Sequence, residues 1–162
     1  MAFESSKNRV QKGSELDAAE RTESTTQERR ALTFKLLNED SDVSGEVSGR
    51  IYPYIREKDT VMPAIMMEFV GTEFTIPKEG TAKADSYQVE VYSYAKTATV
   101  AMRLGNKVRA ALVNKPGTYD MTGNNGFSYN VLESHIRQMS MESMAEGKIF
   151  VLIQVFDFVV AV

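Results

Sequence analysis

Apolar residues recur at helical spacing in two stretches of the chain. In the first stretch, Thr25 or Thr26 can cap a helix that ends near Asn38. Its apolar residues lie three positions apart: Ala31, Phe34 and Leu37. This spacing predicts a helix that packs one face against the rest of the protein. The acidic run 38–42 that follows lacks the glycine and the closing glutamate of a calcium loop, so a solvated helix end is the better interpretation.

The second helical stretch begins at Thr97, whose hydroxyl can cap it, and ends at the Asn-Lys-Pro-Gly run 114–117. Five apolar residues recur at a spacing close to that of a helical turn: Ala101, Leu104, Val108, Ala111 and Leu112. Three cations fall outside this stripe: Arg103, Lys107 and Arg109. The pattern predicts a helix with one buried apolar face.

Four other stretches have the pattern of β-strands. Residues 62–70 and 148–160 carry apolar side chains at both parities, which indicates strands covered on both faces. Residues 86–94 alternate between apolar and polar side chains, as a half-buried strand does. Residues 129–144 suit either an amphipathic helix or an antiparallel partner of the last strand. We interpret them as a strand because they directly precede it.

The order helix, strand, strand, helix, strand, strand predicts an α+β fold, an antiparallel β-sheet of about four strands flanked by two main helices. The polar segments 71–85 and 115–126 are predicted to be loops. We expect the domain to comprise residues 27–162, preceded by a flexible N-terminal arm at residues 1–26. The arm has almost no large apolar residue after Val10, so burial cannot offset the entropy of ordering it. A disordered tail and an arm that orders on a neighbouring subunit are both open.

Composition narrows the classes of function. The 162 residues suffice for one domain with a core, and a net charge of −3 lacks the basic excess of a protein that wraps nucleic acid. The absence of cysteine excludes a disulfide scaffold and a thiolate metal site. The first 30 residues have no signal-peptide core. The apolar run 149–162 is shorter than the roughly 20 residues of a membrane-spanning helix. We therefore expect no membrane association.

The sequence carries no recognisable catalytic or ligand-binding motif. His135 is the only histidine, which excludes a multi-histidine zinc site, and no Gly-x-Ser-x-Gly elbow accompanies it. The glycine-rich turn 123–126 lacks the Lys-Ser/Thr of a phosphate-binding loop. We predict no catalytic residue, no metal and no cofactor, and a protein that is not an enzyme. The methionines at 66–67 and 139–144 suit contacts that repack on assembly.

The order of four segments is more specific than any single motif. Segment 49–53 (GRIYP) is followed by 62–65 (MPAI), by 87–94 (YQVEVYSY) and by 104–112 (LGNKVRAAL). In this order the segments resemble the tail terminator, or tail completion, family of long-tailed bacteriophages. The resemblance covers about residues 31–160, and a minimal family member has no counterpart to the N-terminal arm.

The resemblance implies a virion structural protein. A homo-hexameric ring would cap the tail tube, end the polymerisation of the tail tube protein, and join the tail to a head-to-tail connector or stopper protein. Phage DNA would pass through the channel without specific binding. Such a protein is assembled in the host cytoplasm and is located in the tail-neck region of the virion.

Charged residues of the first long loop and the second helix are expected to contact these partners. The predicted interface residues are Glu73, Lys78, Glu79, Lys83, Asp85, Arg103, Lys107 and Arg109. Three of them, Glu73, Glu79 and Asp85, are also candidates for an acidic channel lining, and solvated loop charges account for them equally well.

Three alternatives are open from the sequence. The first is another neck or tail-tube component of the virion. The second is a small ligand-binding or enzymatic α+β domain, which would need a pocket with convergent polar groups. The third is a nucleic-acid-binding module, which the net charge disfavours.

Overall fold

The computed structural model of the protein describes residues 31–52, 61–74, 84–121 and 127–161. Three helices lie in these ranges: α1 (31–39), α2 (Ser41–Val47) and α3 (Ala98–Leu112). Six strands lie in the same ranges: β1 (Ile51–Tyr52), β2 (Ala64–Phe74), β3 (Ala84–Ala95), β4 (Gly117–Met121), β5 (Phe127–Met144) and β6 (Ile149–Ala161).

The strands form one sheet in the order β1-β2-β3-β6-β5-β4. Every neighbouring pair is antiparallel except β1 and β2, which are parallel. The predicted α+β class is confirmed, with more elements than the expected four strands and two helices. The additional elements are short: α2 has 7 residues, β1 has 2 and β4 has 5. Elements of this length show too few turns or alternations to be read from apolar periodicity.

The acidic run 38–42 contains the solvated end of α1, as predicted, and it also starts the helix α2. One carboxylate oxygen of Asp40 accepts hydrogen bonds from the backbone N–H groups of Asp42 and Val43, both at 3.0 Å. This N-cap satisfies two of the orphan donors at the start of α2. Within α1, Leu32 and Leu37 are fully buried, whereas Phe34 of the predicted stripe is only partly buried.

Helix α3 matches its prediction closely. The Thr97 hydroxyl accepts a hydrogen bond from the backbone N–H of Val100 at 3.2 Å, and all five predicted apolar residues are buried. The predicted stripe omits Gly105, which is also buried. A Cβ at this position would lie 1.9 Å from Leu152 Cδ2, so the glycine lets the helix backbone approach β6 closely.

The two predicted loops are partly strand. Strand β2 extends to Phe74 and β3 begins at Ala84, so both ends of the first predicted loop belong to paired strands. Residues 75–83 lie outside the described ranges. Strand β4 lies inside the second predicted loop and pairs with the start of β5. The N-terminal arm, 1–26, also lies outside the described residues.

The ambiguous segment 129–144 is a strand, as predicted, and is part of β5. Two residues of β5, Leu132 and Arg137, have no partner in the β6 register and mark β-bulges. Strand β6 lies between β3 and β5, so both of its edges are paired.

The main core lies between the sheet and the helices. We call this the helix side of the sheet and the opposite surface the outer face. On the helix side, the Tyr87 ring stacks on the Phe158 ring, with 5.1 Å between centroids, and on the Phe69 ring at 5.7 Å. Leu32 and Leu37 of α1 belong to the same buried cluster. The helices therefore cover one side of the sheet.

Candidate functional site

The outer face combines an apolar strip with polar borders. Along β6, Val151 is buried and Ile153 and Val155 are half-buried. The register places Tyr92 of β3 and Ser140 of β5 on either side of Ile153. Because α3 packs against Leu152 and Gln154, which point the other way, this strip lies on the side of the sheet away from α3.

The outer face is acidic. Its carboxylates come from four strands: Glu68 of β2, Glu90 of β3, Glu133 and Glu142 of β5, and Asp157 of β6. Two basic side chains lie on the same face, Arg137 and His135, and both contact Asp157. Carboxylates therefore outnumber basic side chains among the described residues of this face. Neither of these two basic side chains lies beside the carboxylates of β2 and β3.

Glu68 and Glu90 are direct cross-strand partners, an arrangement in which like charges destabilise a sheet. The Tyr92 hydroxyl lies within hydrogen-bond distance of both carboxylates, at 3.2 Å from Glu68 Oε2. Its single hydrogen can be donated to only one of them at a time. Burial and the hydrogen bond to Glu90 hold the pKa of Tyr92 far above its ordinary value. The two carboxylates can therefore accept a hydrogen bond from a further donor or bind a cation.

Asp157 is the buried member of the acidic set. Its Oδ2 accepts from Arg137 Nε at 2.7 Å and lies 3.2 Å from His135 Nε2, whereas Oδ1 is buried without a hydrogen-bond partner. Arg137 follows His135 by two positions, so both side chains lie on the outer face, as alternate residues of a strand do. The sequence could not show this cluster, because only the register of β5 on β6 brings residues 20 positions apart into contact.

Strand β5 provides a second surface, the open β5 edge, which we define as residues 135–144. Strand β4 pairs only with Phe127–Val131, and Asn114 N–H then donates to Ser134 O at 2.9 Å. Beyond that point, no strand among the described residues pairs with this side of β5. Three methionines of this segment are exposed by 44%, 37% and 43%: Met139 and Met141, which lie on the helix side, and Met144, which lies on the outer face. Open strand edges with apolar side chains pair readily with other chains.

The predicted interface residues are distributed over three places. Glu73 of β2 pairs with Ser86, and the adjacent Phe74 pairs with Asp85, so these two acids lie on neighbouring strands. Lys78, Glu79 and Lys83 lie outside the described residues. The three cations of α3 lie on the helix side, where Arg109 is exposed. The five described residues therefore lie on three elements, β2, β3 and α3, and the roles of all eight stay predictions.

Two of the α3 cations have an intramolecular partner. Glu46 of α2 accepts from Arg103 at 2.6 Å and from Lys107 at 2.9 Å. The hydrogen bonds from Lys107 and Arg103 hold the pKa of Glu46 below its usual value. These contacts attach α2 to α3.

We expect Glu46→Gln to lower the free energy of unfolding at neutral pH by less than about 1 kcal/mol, because partly exposed ion pairs contribute little. Since the folded-state pKa of Glu46 is depressed, its contribution is present above the ordinary value of 4.5 and is lost as pH falls through the folded-state value. Urea unfolding of both chains at neutral and acidic pH measures this. A difference that persists in acid would contradict the account.

Searches for known sites give two further findings. Among the described residues, no group of three or more metal-ligating side chains could hold a metal ion. No helix in those ranges is long and apolar enough to cross a membrane.

Comparison with known proteins shows the fold. No model of a known protein family matches the chain, and no curated protein sequence matches it. A solved structure does match: a chain from the virion of a native gene transfer agent particle aligns with a TM-score of 0.61 and 13% sequence identity. The alignment covers 82% of this chain and 94% of that chain. The protein therefore shares nearly the whole fold of that virion chain.

Proposed function

We propose that this protein is a structural component of a phage-like virion, and that it forms the ring that caps the tail tube. In this role the ring ends tube polymerisation and joins the tail to the head connector. The observation that carries the proposal is the fold shared with a chain of a gene transfer agent virion over 94% of that chain. The order of the segments from residue 49 to residue 112, which resembles the tail terminator family, supports the specific position in the tail.

Ring formation requires a heterologous contact, in which one surface of each copy binds a different surface of the next. The open β5 edge is our candidate for one of these surfaces. Among the described residues no strand pairs with this edge, and Met139, Met141 and Met144 of the same segment have flexible side chains that adapt to a partner. The exposed cations of α3 stay candidates for contact with the tube or the connector.

We expect Met141→Glu combined with Met144→Glu to prevent ring formation while the chain stays folded. Both side chains are already partly exposed, so the charges are hydrated in the single chain but would be buried at the contact. Mass photometry measures assembly and circular dichroism measures folding. The matched control is Met102→Glu on α3, which is 41% exposed and lies away from β5. Rings of normal mass from the double variant would contradict the assigned contact.

A tail-tube protein with the same fold is the second candidate within the virion, since the fold alone does not separate the two. Copy number does, because a tube protein occurs in many stacked rings and a terminator in one. Quantitative mass spectrometry of purified particles therefore tests the proposal. A ratio of this chain to the connector well above that of a single ring would contradict it.

A further inference from the structure

We infer that residues 5–13 of one copy bind the outer face of a neighbouring copy, so that the N-terminal arms link the subunits of the assembly. The inference rests on the proposed function, because the ring supplies the neighbouring copy. It adds a partner for the outer face, which the proposal leaves without one.

The outer face has the chemistry of a surface that accepts a basic segment. Glu68 and Glu90 stand directly opposite each other and share the single hydrogen of Tyr92. Asp157 has a buried carboxylate oxygen without a hydrogen-bond partner. A donor or cation from another segment would relieve the first arrangement and satisfy the second. Between these groups runs the half-buried apolar strip of β6.

The segment 5–13 has the complementary composition. Its sequence, SSKNRVQKG, contains Lys7, Arg9 and Lys12 and no acidic residue. The rest of the arm, 1–26, is different, because it carries acids at 4, 15, 17, 20 and 23 and a single cation, Arg21. The cations of the arm are thus concentrated in segment 5–13, and Val10 provides an apolar side chain in the same segment. In an extended segment Lys7 and Arg9 would lie on one side and Val10 and Lys12 on the other.

The linker is long enough to reach a neighbour. Residues 14–30 separate the basic segment from the described start of α1, and 17 extended residues span at most about 60 Å. A six-stranded sheet is only about 25–30 Å wide.

The position of α1 favours the next copy over the same chain. Helix α1 packs on the helix side, so an arm that bound its own outer face would have to turn around an edge of its own sheet. In a head-to-tail ring, a different surface of the next copy lies beside each subunit. The arm reaches that copy directly.

Cysteine crosslinking tests the inference, because the natural chain contains no cysteine. We would prepare Asn8→Cys, which keeps the three cations, and a mass-tagged chain with Ser140→Cys, which keeps the acids of the outer face. After co-assembly, a short bismaleimide should join the two chains. The control pairs Asn8→Cys with tagged Asn106→Cys, an exposed position on the helix side. This pair should give no product.

Charge reversal then tests the chemistry. Replacing Lys7, Arg9 and Lys12 by glutamate should abolish the product with Ser140→Cys. Reversing Glu68, Glu133 and Glu142 to lysine in the tagged chain should restore it. The mass of each sample before crosslinking shows whether rings are present.

Four results would overturn the inference. The first is an equal yield from the pairs with Ser140→Cys and Asn106→Cys, and the second is a product that survives charge reversal of the arm alone. The third is a product formed only within a single chain that carries both Asn8→Cys and Ser140→Cys. The fourth is the presence of rings that give no product. The last result leaves the proposed ring intact, whereas the absence of rings in the unmodified chain counts against the proposed function itself.

Discussion

Replacing Gly105 by alanine is expected to lower the free energy of unfolding by about 1–3 kcal/mol. The new Cβ would lie 1.9 Å from Leu152 Cδ2 and 3.2 Å from Leu152 Cγ. Leu152 is fully buried, so its side chain cannot move into solvent to make room. Helix α3 would have to move away from β6, which also strains the hydrogen bond from Gln154 Nε2 to Gly105 O.

Urea unfolding of the unmodified chain, of Gly105→Ala, of Leu152→Ala, of their combination and of one control checks this prediction. Gly45→Ala is the matched control, because no atom lies within 4 Å of its added Cβ and alanine favours α2 by up to about 1 kcal/mol. The double variant Gly105→Ala/Leu152→Ala removes the clashing atoms. The double variant should therefore lose less free energy of unfolding than Gly105→Ala and Leu152→Ala lose in sum. Strict additivity would show that the close contact between helix and strand does not exist.

Replacing Phe158 by alanine should have the largest effect of any single change proposed here, about 3–5 kcal/mol. Its ring is fully buried, and it stacks on Tyr87 at 9° between planes. Removing it leaves a cavity between β3, β6 and the helices. Thermal and urea unfolding measure the loss, and Phe158→Leu should cost clearly less because leucine keeps much of the volume. Equal losses from both variants would contradict the cavity explanation.

The parts of the fold that were predicted are those where several sequence signals agree. In α3, the Thr97 cap, the apolar stripe and the terminating run 114–117 all indicate the same helix. In β3, alternation alone sufficed, since Tyr87, Val89 and Val91 are all buried on one side. The cap of α2 at Asp40 was missed, because the acidic run 38–42 was interpreted only as the solvated end of the preceding helix.

The missed elements depend on tertiary pairing. In β4 only Met121 is buried, so its five residues show no alternation and gain their structure from β5. The outer face was missed for a related reason. The alternation along β3 places Glu90 on the face away from the buried apolar residues. Only the register of β2 shows that Glu68 lies directly opposite Glu90. The contact of Arg137 with Asp157 likewise depends on the register of β5 on β6.

The central claim is that this chain acts by binding copies of itself and the end of a tail tube. Mass photometry of the purified 18.1 kDa chain, with and without tail tubes from the same particle, tests it most directly. The account predicts rings with the mass of a hexamer, and electron micrographs in which such a ring sits at one end of each tube and blocks further growth. A chain that stays single at every concentration and leaves tube ends free to elongate would contradict it.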